Sequence, residues 1–80
     1  MKTHTVSYFG LLVERRGLSE ETVRSDAATT AALYAELDAA HHLGLATANF
    51  RVAVNDEFVA WEHPLADGDR IALLPPMSGG

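Results

Sequence analysis

The stretch DRIALLPPMSGG, residues 69–80, predicts a strand that is forced to end and a short tail that follows it. Residues 71–74 form a short apolar run, Ile-Ala-Leu-Leu, which favours a strand. Pro75 and Pro76 have no backbone N–H to donate to a neighbouring strand, so the strand ends at Leu74. We expect residues 75–80 to form a flexible C-terminal tail, because the last residues have no segment with which to pair.

Four upstream segments are also predicted to be strands. They are residues 5–9, 21–26, 51–54 and 57–60. The first ends at Gly10, and residues 11–17 then predict a short helical turn that ends at Gly17. The dipeptide Asn55-Asp56 favours a tight turn, so the last two segments predict a hairpin.

The middle of the chain predicts one amphipathic helix, residues 31–42. Thr29 or Thr30 can accept hydrogen bonds from the free N–H groups at its start, and strong helix formers follow. Apolar side chains recur at i, i+4 and i+7 on one stripe: Leu33, Leu37 and Ala40. We therefore expect this helix to lie across one face of the sheet.

The order of these elements predicts an α+β fold of the β-grasp type. Two strands, a helix and three strands imply a mixed sheet of about five strands with one main helix across one face. Because the chain has 80 residues, below the roughly 100 to 150 of a typical domain, we expect a single domain over residues 1–80.

The composition excludes several classes of function. Six basic against eleven acidic residues give a net charge of −5, which lacks the basic footprint of a nucleic-acid binder. The absence of cysteine excludes disulfides, thiolate metal sites and a cysteine nucleophile. No apolar run approaches the roughly 20 residues that cross a bilayer. We expect a cytoplasmic protein with no metal site and no membrane or nucleic-acid partner.

Strand alternation predicts an exposed apolar patch on the sheet. If Val6, Tyr8, Ile71 and Leu73 meet the helix, their neighbours point to the opposite face. The predicted patch beside the tail consists of Phe9, Phe58 and Leu74. Patches of this kind often mark interaction sites. The alternative is that one or two of them are ordinary exposed apolar residues, or are covered by residues 11–18.

The final two glycines make the C-terminal carboxylate the predicted reactive group. Gly79 and Gly80 carry no side chain, so an enzyme can approach the carboxylate of Gly80 closely or thread the tail through a narrow channel. The alternative is that the two glycines form an ordinary, permissive chain end without chemistry.

Residues 52–55 and the run HPLADGDRIALLPPMSGG, residues 63–80, closely resemble the family of small sulfur-carrier subunits of molybdopterin synthase, which are ubiquitin-like proteins. The specific feature is the Pro-Pro-x-Ser-Gly-Gly ending after a Leu-x-Asp-Gly-Asp turn. The likeness extends in outline to the first strand and the helix. Leu73-Leu74 stands where the family often has an aromatic pair, and Arg70 where an acidic residue is frequent.

This resemblance implies a function, partners and site residues. An adenylyltransferase similar to ubiquitin-activating enzymes would use ATP and magnesium to adenylate the terminal glycine, which corresponds to Gly80, and the acyl-adenylate would become a thiocarboxylate. The tail would insert into the large synthase subunit through Pro75, Pro76, Met77, Ser78 and Gly79. There it would give sulfur to cyclic pyranopterin monophosphate, which forms the dithiolene of molybdopterin. The chain itself would bind no cofactor.

The resemblance also assigns the apolar patch. Phe9, Phe58 and Leu74 correspond to hydrophobic positions that dock the carrier on the large subunit, and two carriers typically flank a dimer of large subunits. Three other functions remain open: a sulfur carrier for thiamine or tRNA thiolation, a ubiquitin-like modifier that forms isopeptide bonds, and an interaction module with an idle tail.

Overall fold

Five strands form one mixed sheet in the computed structural model, which describes residues 1–75. They are β1 (Lys2–Tyr8), β2 (Glu20–Ser25), β3 (Arg51–Val54), β4 (Glu57–Val59) and β5 (Arg70–Leu74). Their order across the sheet is β2-β1-β5-β3-β4; β1 and β5 are parallel, and the other three neighbouring pairs are antiparallel. Because β1 and β5 run in the same direction, both end at the same side of the sheet.

Two α-helices connect the strands: α1 (Leu11–Arg16) and α2 (Thr30–His41). The Thr29 hydroxyl accepts a hydrogen bond from the Ala32 N–H at 3.2 Å, which caps the start of α2 as predicted. Gly17 ends α1 with a φ of 84°, a left-handed conformation that favours glycine. A single 3-10 turn (Thr47–Asn49) precedes β3 within the described residues.

The core lies between α2 and one face of the sheet. All four strand residues predicted to meet the helix are buried there: Val6, Tyr8, Ile71 and Leu73. Leu33 and Leu37 are buried as predicted, but Ala40 is exposed, so that part of the predicted stripe is wrong. Tyr34 is buried instead, because the buried positions follow the i, i+3, i+4 and i+7 spacing that begins at Thr30.

The first strand begins earlier than predicted, at Lys2 and not at residue 5. Residues 2–4 are polar, so their composition does not indicate a strand, yet each pairs with a residue of β2. β2 begins and ends one residue earlier than predicted, at Glu20 and Ser25. β1 also ends one residue earlier, at Tyr8 and not at Phe9. The ends of β4, β5 and α2 differ from the predictions by one residue, the usual spread of element ends.

His4 is a core residue that composition did not reveal. Its side chain is buried to 1% exposure on the inner face of β1, and neither ring nitrogen has a hydrogen-bond partner among residues 1–75. A buried polar group without a partner lowers stability relative to an apolar side chain of similar size.

The predicted α+β arrangement, a mixed sheet with one main helix on one face, is confirmed. The tail prediction for residues 76–80 lies outside the described residues. Neither α1 nor α2, the helices of residues 1–75, has the length and apolar character needed to cross a bilayer.

Candidate partner-binding site

The last described residue, Pro75, lies against the loop that follows β1. A Cβ built on Gly10 would lie 3.5 Å from Cγ of Pro75. Gly10 has φ 60° and ψ −135°, a conformation that other residues rarely adopt. The loop between β1 and α1 therefore passes directly beside the point where the chain leaves the sheet.

An apolar groove opens beside this exit. It has a volume of about 280 Å³ and is lined by Phe9, Leu11, Leu12, Leu45, Asn49, Phe50 and Pro75. Six of these seven residues are apolar, so the groove offers hydrophobic contacts and little hydrogen bonding. Leu12 and Phe50 form its buried floor, while Phe9 and Leu11 are 44% and 47% exposed at its rim. The groove suits apolar side chains of another protein.

Phe9 is placed differently from the prediction. Strand alternation predicts that Phe9 belongs to the first strand and points to the outer face, but β1 ends at Tyr8. Phe9 belongs to the loop before α1, where it lines both the apolar groove and a shallow pocket over the outer face of β1 and β5. It thus connects the groove with the outer face of the sheet.

Phe58 and Leu74 lie on the outer face, which carries no helix. Phe58 is 50% exposed, and Leu74 is partly buried and directly opposite Arg51. The Arg51 guanidinium carbon is 4.3 Å from the centroid of the Phe58 ring, a cation–π contact. Phe58 and Leu74 therefore lie on the outer face together with the Arg51 cation, and the role of this surface in partner binding stays a prediction.

A charged network holds α1 against the sheet below this surface. Arg16 donates two hydrogen bonds to the Glu21 carboxylate, at 2.8 Å from Nε and 2.6 Å from Nη2, and the Tyr8 hydroxyl donates a third at 2.5 Å. These hydrogen bonds, the pair from Arg16 above all, hold the pKa of Glu21 below its usual value of 4.5, although partial burial opposes them. Burial, together with the hydrogen bond to Glu21, raises the pKa of Tyr8. The network fixes α1 and with it one wall of the groove.

The described residues include the predicted apolar patch but not the predicted reactive end of the chain. Residues 1–75 contain no cluster of three or more His, Asp or Glu side chains that could hold a metal ion. The predicted reactive residue Gly80 lies outside the described residues, as do Pro76, Met77, Ser78 and Gly79.

Sequence reasoning missed Leu11 and Arg51 as parts of this surface. Leu11 precedes Leu12, the buried residue of α1, and consecutive residues on a helix point in different directions. Arg51 precedes the buried Val52, so strand alternation places it on the outer face with Leu74 and Phe58. Strand alternation applied to charged residues would have found Arg51, and helix periodicity applied to residues 11–16 would have found Leu11.

Known proteins align with this chain over almost its whole length. The model of the ThiS family matches residues 6–80. The molybdopterin synthase sulfur carrier subunit of Escherichia coli strain K12 is 35% identical over 78 residues, which cover 94% of this chain and 96% of that protein.

Solved structures give the same result for the fold. The crystal structure of SAMP1 from Haloferax volcanii superposes with a TM-score of 0.79 at 30% identity, over 98% of this chain and 99% of that one. A chain in the complex of subunits 1 and 2 of the molybdopterin-converting factor from Helicobacter pylori has a TM-score of 0.67 at 29% identity, over 98% and 99% of the two chains. The sheet order, the single main helix and the sequence matches agree, and this chain belongs to the ThiS family and has the ubiquitin-like β-grasp fold.

Proposed function

We propose that this chain is the sulfur-carrier subunit of a molybdopterin synthase. The observation that carries the proposal is its 35% identity to the Escherichia coli sulfur carrier subunit over 94% of the chain. The ThiS family model also reaches residue 80, so the Gly-Gly ending falls within the matched region. The carrier supplies sulfur, and its partner enzymes supply the catalytic groups.

The proposed chemistry takes place at the carboxylate of Gly80. The carboxylate attacks the α-phosphate of ATP on the adenylyltransferase, and pyrophosphate leaves. A sulfide equivalent then displaces AMP from the acyl-adenylate and leaves a thiocarboxylate. On the large subunit the thiocarboxylate transfers its sulfur to cyclic pyranopterin monophosphate, and hydrolysis returns the Gly80 carboxylate for another cycle.

The folded part of the chain holds and presents the tail in this scheme. β5 lies between β1 and β3, so the tail starts from a strand that is paired on both sides. Pro75 lies beside Gly10, so the tail starts next to the loop between β1 and α1. The groove rim at Phe9 and Leu11 and the outer face at Phe58 and Leu74 supply apolar area for the large subunit. The Helicobacter pylori complex, in which subunits 1 and 2 associate, supports a large-subunit partner.

The first test is mass spectrometry of the intact protein and of its C-terminal peptide after incubation with the adenylyltransferase, ATP, magnesium and a sulfur source. We expect replacement of one oxygen by sulfur at Gly80. Accurate mass and peptide mapping distinguish it from oxidation of Met1 or Met77, which has the same nominal mass. A chain that lacks Gly80 is the matched control and should keep its fold but acquire no sulfur. An unmodified wild-type terminus, with an adenylyltransferase that is active on a known carrier, would refute the proposal.

The similarity to SAMP1, at 30% identity over 98% of this chain, favours a second candidate function. The fold neighbours include proteins described as small archaeal modifiers, so the Gly80 carboxylate is also a candidate for isopeptide bonds to lysine. Immunoblots of cells that carry an N-terminally tagged chain discriminate the two functions. A sulfur carrier gives one band together with molybdopterin, whereas a modifier gives slower-migrating conjugates that disappear when Gly80 is deleted.

A further inference from the structure

The outer edge of β2 is open, because β2 is the first strand of the sheet and pairs only with β1 among the described residues. The Tyr8 N–H donates to the Ser19 carbonyl at 2.8 Å, so this pair is a hydrogen-bonded pair of the antiparallel ladder. Such pairs alternate along the ladder, so Glu21 and Val23 also direct their backbone groups towards β1. Glu20, Thr22 and Arg24 therefore direct their backbone N–H and C=O groups towards the open edge.

The side chains of these three residues share one face. Glu20, Thr22 and Arg24 are all exposed and alternate with the partly buried Glu21 and Val23. Residues that lie opposite each other in an antiparallel ladder point to the same face of the sheet. A strand that pairs with this edge must therefore place its own exposed residues opposite Glu20, Thr22 and Arg24. With opposite charges at its two ends and Thr22 at its centre, the edge is complementary to itself.

We propose that two copies of this chain associate through their β2 edges, with Thr22 on the two-fold axis and Glu20 opposite Arg24 of the second copy. In this register all three outward residues form hydrogen-bonded pairs, and each pair exchanges both N–H···O bonds. Two cross-strand ion pairs, each between Glu20 of one copy and Arg24 of the other, lie on the outer face. The two-fold axis makes the interface isologous, as in most homodimers.

Neighbouring registers are less favourable. A shift by one residue would place exposed side chains on the core side of the sheet. A shift by two residues in one direction places Glu20 opposite Asp26 of the second copy, two carboxylates that repel each other. The opposite shift leaves Arg24 facing residue 18, where Leu18 offers no charge. The arrangement centred on Thr22 is the one in which both charges find a partner.

The pairing is independent of the proposed sulfur-carrier function. β4, which carries Phe58, is at the other edge of the sheet, so the joined sheet runs from β4 of one copy to β4 of the other. The two copies run in opposite directions, so their tails leave from opposite ends of the joined sheet. The outer face near Leu74 stays uncovered in each copy.

Sedimentation velocity over a concentration series of the full chain tests the proposal. We expect the sedimentation coefficient of the wild type to rise with concentration. Glu20→Arg places two arginines opposite each other, and Arg24→Glu places two glutamates opposite each other, so each variant alone should dissociate at least about tenfold more readily. A mixture of the two variants restores both ion pairs and should associate at least as well as the wild type.

Two further variants separate the edge from general effects of charge and folding. Glu57→Arg makes the same charge change on β4, at the opposite edge, and should leave association unchanged. Thr22→Pro removes an N–H that points away from β1, so it should abolish association while circular dichroism shows a folded chain. In a mixed sample of isotope-labelled and unlabelled chains, a nuclear Overhauser contact should join the Hα atoms of Glu21 and of Val23 in the second copy.

The opposite results would overturn the proposal. A wild-type chain that stays monomeric at millimolar concentration would leave the β2 edge to a strand from a different protein. Variants Glu20→Arg and Arg24→Glu that fail to associate when mixed would show that the charges do not face each other. Equal loss of association in Glu57→Arg would place the interface elsewhere.

Discussion

Glu21→Gln should destabilise the protein, and the size of the effect follows from the geometry of the carboxylate. Arg16 donates to both carboxylate oxygens of Glu21, and the Tyr8 hydroxyl donates to one of them. Glutamine replaces one acceptor oxygen with an NH2 group. This NH2 group is a donor, and it would point at another donor that needs an acceptor. The variant therefore loses one charge-assisted hydrogen bond and weakens the others.

A hydrogen bond to a charged group contributes about 1.5 to 3 kcal/mol. The Arg16 and Glu21 side chains are 20% and 17% exposed, so solvent screens the pair in part and the lower end of this range applies. We expect the free energy of unfolding to fall by about 1.5 kcal/mol at neutral pH, which for a domain of this size lowers Tm by roughly 6 to 12 °C.

The effect should also depend on pH, with a defined sign. The pKa of Glu21 is lowered from 4.5 in the folded protein, so the carboxylate stabilises the fold above the unfolded pKa, and this contribution disappears as the pH falls through the folded value. Wild type and Glu21→Gln should differ most near neutral pH and converge in acid, once the pH lies below the pKa of Glu21 in the folded protein. The assay is urea unfolding followed by circular dichroism across this range. A difference under about 0.5 kcal/mol at neutral pH, or one that persists unchanged in acid, would refute the reasoning.

Three other substitutions test the site and the core. Phe9→Asp should weaken binding to the large synthase subunit at least about tenfold while the free energy of unfolding changes by less than about 1 kcal/mol; calorimetry of binding and thermal melting measure the two, and an equally large loss of stability would mean that Phe9 supports the fold. The raised pKa of Tyr8 favours the neutral phenol in the fold, so the wild type should lose stability as the pH rises above 10.0, and Tyr8→Phe should remove this loss. Unfolding of both proteins is measured over a series of alkaline pH values. An equal loss of stability in wild type and variant would contradict the prediction. His4→Leu should raise the free energy of unfolding by about 1 kcal/mol, because it replaces a buried imidazole that has no hydrogen-bond partner among residues 1–75; a lower urea midpoint would show that the ring is hydrogen-bonded.

The order of the elements could be predicted from the sequence because each has strong local signals. Gly17 ends α1, Thr29 caps the start of α2, and the turn between β3 and β4 contains Asn55 and Asp56, both with positive φ. Strand alternation also placed Ile71 and Leu73 correctly in the core. These features depend on residues that are close in the chain.

Features that depend on distant contacts could not be predicted in this way. The first three residues of β1 are polar, and they form a strand because β2 pairs with them. His4 is buried because of that pairing, although histidine is not a typical core residue. The apolar groove joins residues of the β1–α1 loop to Leu45 and Phe50 across the fold, and no local pattern connects these segments.

The candidate site was predicted in part for the same reason. Alternation placed Phe58 and Leu74 on the outer face, since it requires only the strand direction. The contact of Arg51 with Phe58 depends on the register between two strands, which the sequence alone does not specify. The resemblance to a family supplied the role of Gly80, which lies outside the described residues.

The parallel pairing of β1 and β5 also has a mechanical consequence. Force applied to the tail acts along β5, and the ladders to β1 and β3 on its two sides resist sliding together. Hydrogen bonds loaded in shear share the force, whereas a strand peeled from an edge would break them one at a time. If an enzyme draws the tail into its channel, as the proposed function requires, this arrangement of β5 resists unravelling of the domain while the tail is pulled.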